Sequence, residues 1–301
     1  KGEDNNYDMF VSRIPGSNMD KWVTDSEVIR VSADNPEGPY EFEEVVLPRR
    51  GQEYWDGLMT HNPTIHKCGD KYLLFYTGTT YTNSNERDKA WRNKRIGLAV
   101  SESITGPWTR YDKPILHPRL GKWDNVITSN AAPCVHPDGS VLLVYKSTTS
   151  CLQYNGIREF DLRLGVAWAD HYNGPYRRIK QEPILSVPGK KVDLEDGYVW
   201  LDADKNYHLL AKIFKVGTEW LGESGAGIHA LSKDGVNWEY AFPIKGYSRK
   251  IKWNDGKVIT HNRLERVQPL IEDGRVTHLF FASDADDYER SGCIAVPIKP
   301  Y

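Results

Sequence analysis

Two short stretches concentrate the groups able to move protons: Leu194-Glu195-Asp196-Gly197 and Leu264-Glu265-Arg266-Val267. Each places a carboxylate at the head of an apolar, strand-like run, LEDGYVWL and LERVQPLI. A carboxylate entering an interior is costly unless it is paired or put to use. Carboxylates crowded in a partly desolvated pocket split their pKa values, so one keeps its proton while its neighbour is ionised. That is the condition for acid and base work at a single pH. Glu195 is the preferred acid, and Glu265 or Asp196 the second carboxylate. Successive strand residues face opposite sides, so Glu195 and Asp196 do not both face one ligand fully.

The elements that must carry these groups form a repeat. SEVIRVSAD, RIGLAVSES, RLGVAWADH, AGIHALSKD and SGCIAVPIK begin at residues 26, 95, 163, 226 and 291, in steps of 69, 68, 63 and 65. The first three run into EGPY, TGPW and NGPY, and the fourth into DGVNW. The strands before them also recur, as YDMFVS, YLLFYT, VLLVYK, YHLLAK and THLFFA. Gly69-Asp70, Asp138-Gly139 and Asp273-Gly274 supply hairpin turns upstream of three of them. KPILHP, EPILSV and FPIKGY read as fourth strands. Five units of four antiparallel strands, with no amphipathic helix, predict an all-β chain: one five-bladed β-propeller over residues 1–301. His61 to Gly106 and Ser129 to Gly174 both span 45 residues, so the equivalent inner strand of blade one is expected upstream of residue 1.

In a propeller the inner strands line the channel and their starts share one face. The polar heads His61-Asn62, Ser129-Asn130, Glu195-Asp196 and Glu265-Arg266 are therefore expected to meet in one pocket. Simple strand capping suits Ser129-Asn130 well and the charged pairs poorly. Lys146 and Lys212 end consecutive second strands, where blade two has Thr77 and blade one Ser12. With Arg266 they fit two roles equally: holding a carboxylate or sulfate on a ligand, or neutralising Glu195, Asp196 and Glu265. His61 and His229 can carry protons, or serve only as structural hydrogen-bonding groups. The loop GQEYWDGLMTHNP brings Tyr54, Trp55 and Asp56 to the pocket, and Trp91 and Trp123 lie in other loops. Loop aromatics offer faces for stacking, or pack against a neighbouring blade.

Composition narrows the classes. A net charge of −2 over 301 residues gives no basic excess for nucleic acid. No apolar run reaches membrane-spanning length. Cys68, Cys134, Cys151 and Cys293 have no metal-ligand spacing, and Cys68, Cys134 and Cys293 fall in strand-like runs that predict buried free thiols.

At these motifs the sequence resembles the five-bladed propeller glycoside hydrolases: family 43, its sucrose- and fructan-cleaving relatives in family 32, and the neoagarobiose hydrolases of family 117. HNPTIHKCGDKYLLFYTG is similar to the family 43 blade opening, where Asp-Pro leads into a Gly-Asp turn and a Tyr-rich strand. GLAVSESITGPW and SKDGVNW resemble that family's recurring strand and its Ser-x-Asp-x-x-x-Trp turn. The resemblance implies a glycosidase with a carbohydrate substrate, secreted or periplasmic, with no cofactor; a structural or channel-bound cation stays open. The departures are in the site. Asn62 stands where the family has Asp before Pro, the family's first-blade base would precede Lys1, and Ser129-Asn130 replaces its third-blade acid. The family's catalytic residues thus do not carry over one by one. Two alternatives remain: a phosphorylase whose Lys/Arg cluster holds phosphate, and a sugar-binding propeller without catalysis.

Overall fold

A computed structural model describes residues 2, 5–16, 18–83, 87–154, 157–186, 192–213, 221–284 and 291–299. The fold is all-β, a five-bladed propeller of antiparallel sheets. Blade one holds β1 (Tyr7–Arg13), β2 (Glu27–Ala33) and β3 (Glu41–Leu47). Blade two holds β4 (Met59–Cys68), β5 (Lys71–Thr79), β6 (Arg95–Ser101) and β7 (Thr109–Arg110). Blade three holds β8 (Ser129–Val135), β9 (Val141–Tyr154), β10 (Ile157–Ala169) and β11 (Arg177–Arg178). Blade four holds β12 (Leu194–Leu201), β13 (Tyr207–Ile213), β14 (Gly227–Ser232) and β15 (Glu239–Tyr247). A separate hairpin, β16 (Lys250–Lys252) and β17 (Val258–Thr260), precedes blade five, made of β18 (Leu264–Glu272), β19 (Arg275–Asp284) and β20 (Ser291–Pro297). Two short helices, α1 (Trp22–Asp25) and α2 (Arg87–Arg92), interrupt the strand pattern that the sequence predicts. Among the described residues no helix is long and apolar enough to cross a membrane.

The Gly-Pro-aromatic motif is a backbone requirement. Gly38, Gly106 and Gly174 have φ of 85, 88 and 89°, and a Cβ there would lie 3.1, 3.0 and 3.4 Å from ring carbons of Tyr40, Trp108 and Tyr176. Only glycine accepts that conformation beside a ring folded back on it. Of the expected fourth strands, FPIKGY lies within β15, but the other two differ from the observed ones. In blades two and three the outer strand is the short segment after the motif, and KPILHP and EPILSV add only the bridges Ile96–Leu116 and Leu164–Ile184. Pro114 and Pro183 have no N–H to extend a ladder. Of the thiols, Cys134 is free and buried as expected, whereas Cys68 is half-buried and Cys293 exposed on the edge strand β20. The Cys151 side chain lies outside the described residues.

The chain divides into two compact units: residues 1–131, 135–143 and 168–177, and residues 132–134, 144–167 and 178–301. In the first, Phe10, Val28, Val46, Leu47, Leu74, Tyr76 and Ala99 pack together, with Trp55 against them. In the second, Leu210, Tyr247, Leu264, Val267, Leu279 and Phe281 form the core that backs blades four and five.

Gly78 tests the first unit's packing, because a Cβ there would sit 2.4 Å from the Asp56 Cβ and 2.9 Å from the Trp55 ring. Gly78→Ala is expected to cost about 1–3 kcal/mol by overpacking, seen as a lower Tm. An unchanged Tm would show that the Trp55–Asp56 loop is free to move away.

Candidate functional site

Each inner-strand head is built on the same irregularity. Asn62, Asn130, Asp196 and Arg266, the second residue of each polar pair, have φ of 50, 51, 55 and 56°. In three blades the pairing register slips there, between His61 and Thr64, Glu195 and Tyr198, and Glu265 and Gln268. A bulge of this kind re-aims side chains at the end of a strand. Asn and Asp tolerate left-handed backbone, whereas Arg266 carries strain of about 1–3 kcal/mol. A backbone hydrogen bond anchors the bulge. Asn62 N–H donates to Ser12 Oγ at 2.9 Å, and Asn130 N–H to Thr77 Oγ1 at 3.1 Å. Lys212 holds the equivalent place before blade five and has no acceptor to offer. There the Arg266 N–H donates to Asp196 Oδ2 instead, at 3.1 Å.

The consequence is a charged centre in the second unit. Lys146 Nζ donates to Glu195 Oε2 at 3.0 Å. Lys212 Nζ donates to both oxygens of Glu265 at 2.6 Å and lies 3.4 Å from Glu195 Oε1. Oxygens of Glu195, Asp196 and Glu265 all lie within 4.8 Å of one another. Lys146, Asp196 and Lys212 are buried, while the Glu265 side chain is 31% exposed. Burial raises the Glu265 carboxyl, and Glu195 and Asp196 push it further against the pull of Lys212, to about 7. Burial also opposes ionised Asp196, but Lys146, Arg266, Lys212 and the Arg266 N–H hold it at about 2. Lys212 is favoured as the ammonium, because Glu265, Glu195 and Asp196 outweigh its burial. Burial lowers Arg266, against Asp196 and Glu195. Three carboxylates this close are a possible cation cradle, yet Lys146 and Lys212 already stand at their oxygens.

One group was missed from the sequence. The Tyr247 phenol, at the end of β15, is buried and has no hydrogen-bond partner among the described residues. Burial first, then Asp196, Glu265 and Glu195, raise it well above the usual phenol range, so it stays a neutral donor beside the carboxylates. Its ring crosses β14 at Gly227, which pairs with Lys212; a Cβ on Gly227 would lie 2.0 Å from the ring. The available signal was a glycine opposite a strand-end lysine.

The remaining candidates gather elsewhere. In the first unit Asn62 Nδ2 donates to Asn130 Oδ1 at 3.0 Å, and the His61 ring lies 5.3 Å from Trp22. Lys94 caps Trp22 and Trp91 at 5.0 and 4.3 Å, so Trp91 is buried in α2 rather than offered on a loop. Asp56 has no exposed surface. Its oxygens take Arg50 Nη2 at 2.7 Å and the Tyr76 hydroxyl at 2.6 Å, with Arg110 at 3.5 Å. Trp55 stacks on Tyr76 at 6.0 Å. Expected as ligand contacts, Trp55 and Asp56 are placed as packing against blade two, because Gly78 and Gly97 leave room for them. His229 joins neither group: its Nε2 meets His208 Nδ1 at 2.9 Å, and His208 Nε2 meets Asp202 at 3.0 Å.

Lys212→Met is expected to lower stability at pH 7 by about 3–5 kcal/mol, since it strands carboxylates beside each other. Without the ammonium, Glu265 holds its proton above the value of about 7 it has beside Lys212, so the loss should shrink as pH falls from about 9 toward 7. Thermal melts across that range check this; a deficit independent of pH would contradict the charge assignment.

No protein-family model matches the chain, and no curated protein matches it. Solved structures do. A BT0996 complex with RGII superposes with a TM-score of 0.71 at 15% identity, covering 99% of this chain and 85% of that one. Zg3597, a family 117 glycoside hydrolase from the marine bacterium Zobellia galactanivorans, gives 0.65 at 16%, covering 98% and 80%. An endo-arabinase from Bacteroides thetaiotaomicron gives 0.62 at 12%, covering 100% and 92%. The likeness is one of fold: this chain shares the architecture of structures named as glycoside hydrolases.

Proposed function

We propose that the chain is a glycosidase acting on an oligo- or polysaccharide, with Glu265 as general acid and Glu195 as the second carboxylate. The observation that carries it is one carboxyl raised to about 7 within 4.8 Å of an ion-paired neighbour. Retaining glycosidases keep their carboxyl groups about 5–5.5 Å apart and inverting ones about 6.5–9.5 Å. The spacing here favours retention. Protonated Glu265 gives its proton to the glycosidic oxygen as that oxygen leaves the anomeric carbon. A Glu195 oxygen bonds to the same carbon. Water then attacks that carbon, yields a proton to Glu265 and frees Glu195. This exchanges the roles expected from the sequence, where Glu195 was the preferred acid, because Lys146 and Lys212 both contact Glu195. Asp196 stays ionised and anchors the Arg266 bulge. The Tyr247 phenol supplies a neutral donor for a charge developing beside the cluster.

The ion pairs favour the neutralising role for Lys146 and Lys212 over capture of an anionic sugar or phosphate. That weighs against the phosphorylase alternative, and the reading needs no cofactor. The RGII in the BT0996 complex, a structure with this fold, supports a glycan as the ligand class. A substrate of that kind suits a secreted or periplasmic location.

The test is turnover of 4-nitrophenyl α-L-arabinofuranoside, β-D-xyloside and β-D-galactoside by wild type, Glu265→Gln and Glu195→Gln. Each variant should lose roughly a hundred- to ten-thousand-fold in kcat, with little change in Tm. Wild-type kcat/KM should fall as pH rises through about 7, because Glu265 then loses the proton it donates. Wild-type kcat in both variants would remove these residues from the mechanism. No turnover of any glycoside would favour the non-catalytic binding alternative.

A further inference from the structure

Between blades four and five the chain makes a detour. β16 and β17 pair across a turn in which Trp253 N–H donates to Lys257 O at 2.8 Å and Gly256 N–H to Trp253 O at 2.9 Å. The hairpin sets the Trp253 indole, 40% exposed, on the wall of a cleft of about 250 Å³. His261, Asn262, Ser283, Asp284 and Gly292 complete the polar part of that wall. The cleft lies at the end of blade five where Glu265 begins its strand, since Ser283 pairs with Leu264 and the adjacent Ala282 with Glu265.

Its hydrogen bonding is unfinished in a particular way. His261 is held by its backbone: its N–H donates to Arg249 O at 2.9 Å, and its carbonyl accepts from Arg249 Nη1 at 3.0 Å. Its Nδ1 meets Ser283 Oγ at 2.8 Å. Ser283 Oγ also lies 3.2 Å from Arg263 O and 3.1 Å from Asp284 O. A hydroxyl has one proton, and two carbonyl oxygens compete for it. His261 Nδ1 is therefore the donor to Ser283, and Nε2 is left as a bare acceptor. That Nε2 is buried and has no partner among the described residues. Asp284 repeats the situation. Its Oδ1 accepts from Arg263 N–H at 3.0 Å, while Oδ2 is buried, accepts no hydrogen bond among the described residues, and has Arg263 Nε at 3.7 Å.

An indole face beside two acceptors that lack donors matches the surface of a sugar ring, which is apolar on one face and hydroxylated at its edge. The Asp284 carboxylate disfavours a uronate or sulfate in the same place. We propose that this cleft is a subsite for a neutral sugar unit of the glycan cleaved beside Glu265, stacked on Trp253 and donating hydroxyl hydrogen bonds to His261 and Asp284. The subsite rests on the glycosidase reading for the identity of its ligand.

Saturation-transfer NMR on Glu265→Gln protein tests it, with D-galactose, D-xylose, L-arabinose and D-galacturonate as probes. At least one neutral sugar should bind, galacturonate should not displace it, and Trp253→Ala and Asp284→Asn should each weaken it about tenfold. Trp253 is exposed on a turn, so its replacement leaves the core intact. Binding unchanged in both variants, no neutral sugar bound, or galacturonate bound equally well would overturn the proposal. The two readings fail separately. Sugar binding through Trp253 without turnover of any glycoside sinks the glycosidase and keeps the binding site. Turnover with affinities indifferent to both variants sinks the subsite alone.

Discussion

The Lys212 ammonium, bonded to both oxygens of Glu265 and near Glu195, is the contact on which the site depends. Three carboxylates cannot share so small a volume without compensating charge. Lys212 supplies it only because it ends its strand where hydroxyl residues end theirs in blades one and two. That exchange has a cost: a lysine cannot accept the backbone N–H that Ser12 and Thr77 accept in the first unit. Asp196 takes over the acceptor role toward Arg266, which places the third carboxylate in the centre. Gly227 completes the arrangement, because only a bare Cα opposite Lys212 admits the Tyr247 ring.

Much of this was legible in the sequence. The period of the strands identified the blades because side-chain alternation and turn chemistry are local. The polar pairs at His61, Ser129, Glu195 and Glu265 marked the strand heads, and the structure shows why they pair: the second residue of each sits in a left-handed bulge. Local patterning could not separate a buried polar residue from an exposed one. Trp55 and Asp56 read as loop groups free to meet a ligand, yet Gly78 and Gly97 on the next strands accept them as packing. His229 read as either a proton carrier or a structural hydrogen-bonding group, and cross-strand register gives it a structural partner in His208. Tyr247 and the Trp253 cleft went unread because both depend on which residue stands opposite on another strand.

The two roles that fit Lys146 and Lys212 from the sequence are weighted by distance. Cations at 2.6–3.4 Å from carboxylate oxygens have little charge left for an anionic ligand. A centre with three cations and three carboxylates suits a neutral substrate. It lets the neighbouring charges, rather than burial alone, set which carboxyl keeps a proton. Glu265 reaches solvent and is crowded by two neighbours; Asp196 is enclosed by cations.

The most direct measurement is the titration of the Glu265 carboxyl, followed by ¹³C NMR and assigned by its loss in Glu265→Gln. A midpoint near 7, falling toward the ordinary carboxylate range when Asp196 is replaced by Asn, is the result the charge-crowding account predicts. A midpoint already in the ordinary range in the wild-type protein would contradict it, and Glu265 would then have no proton to give at neutral pH.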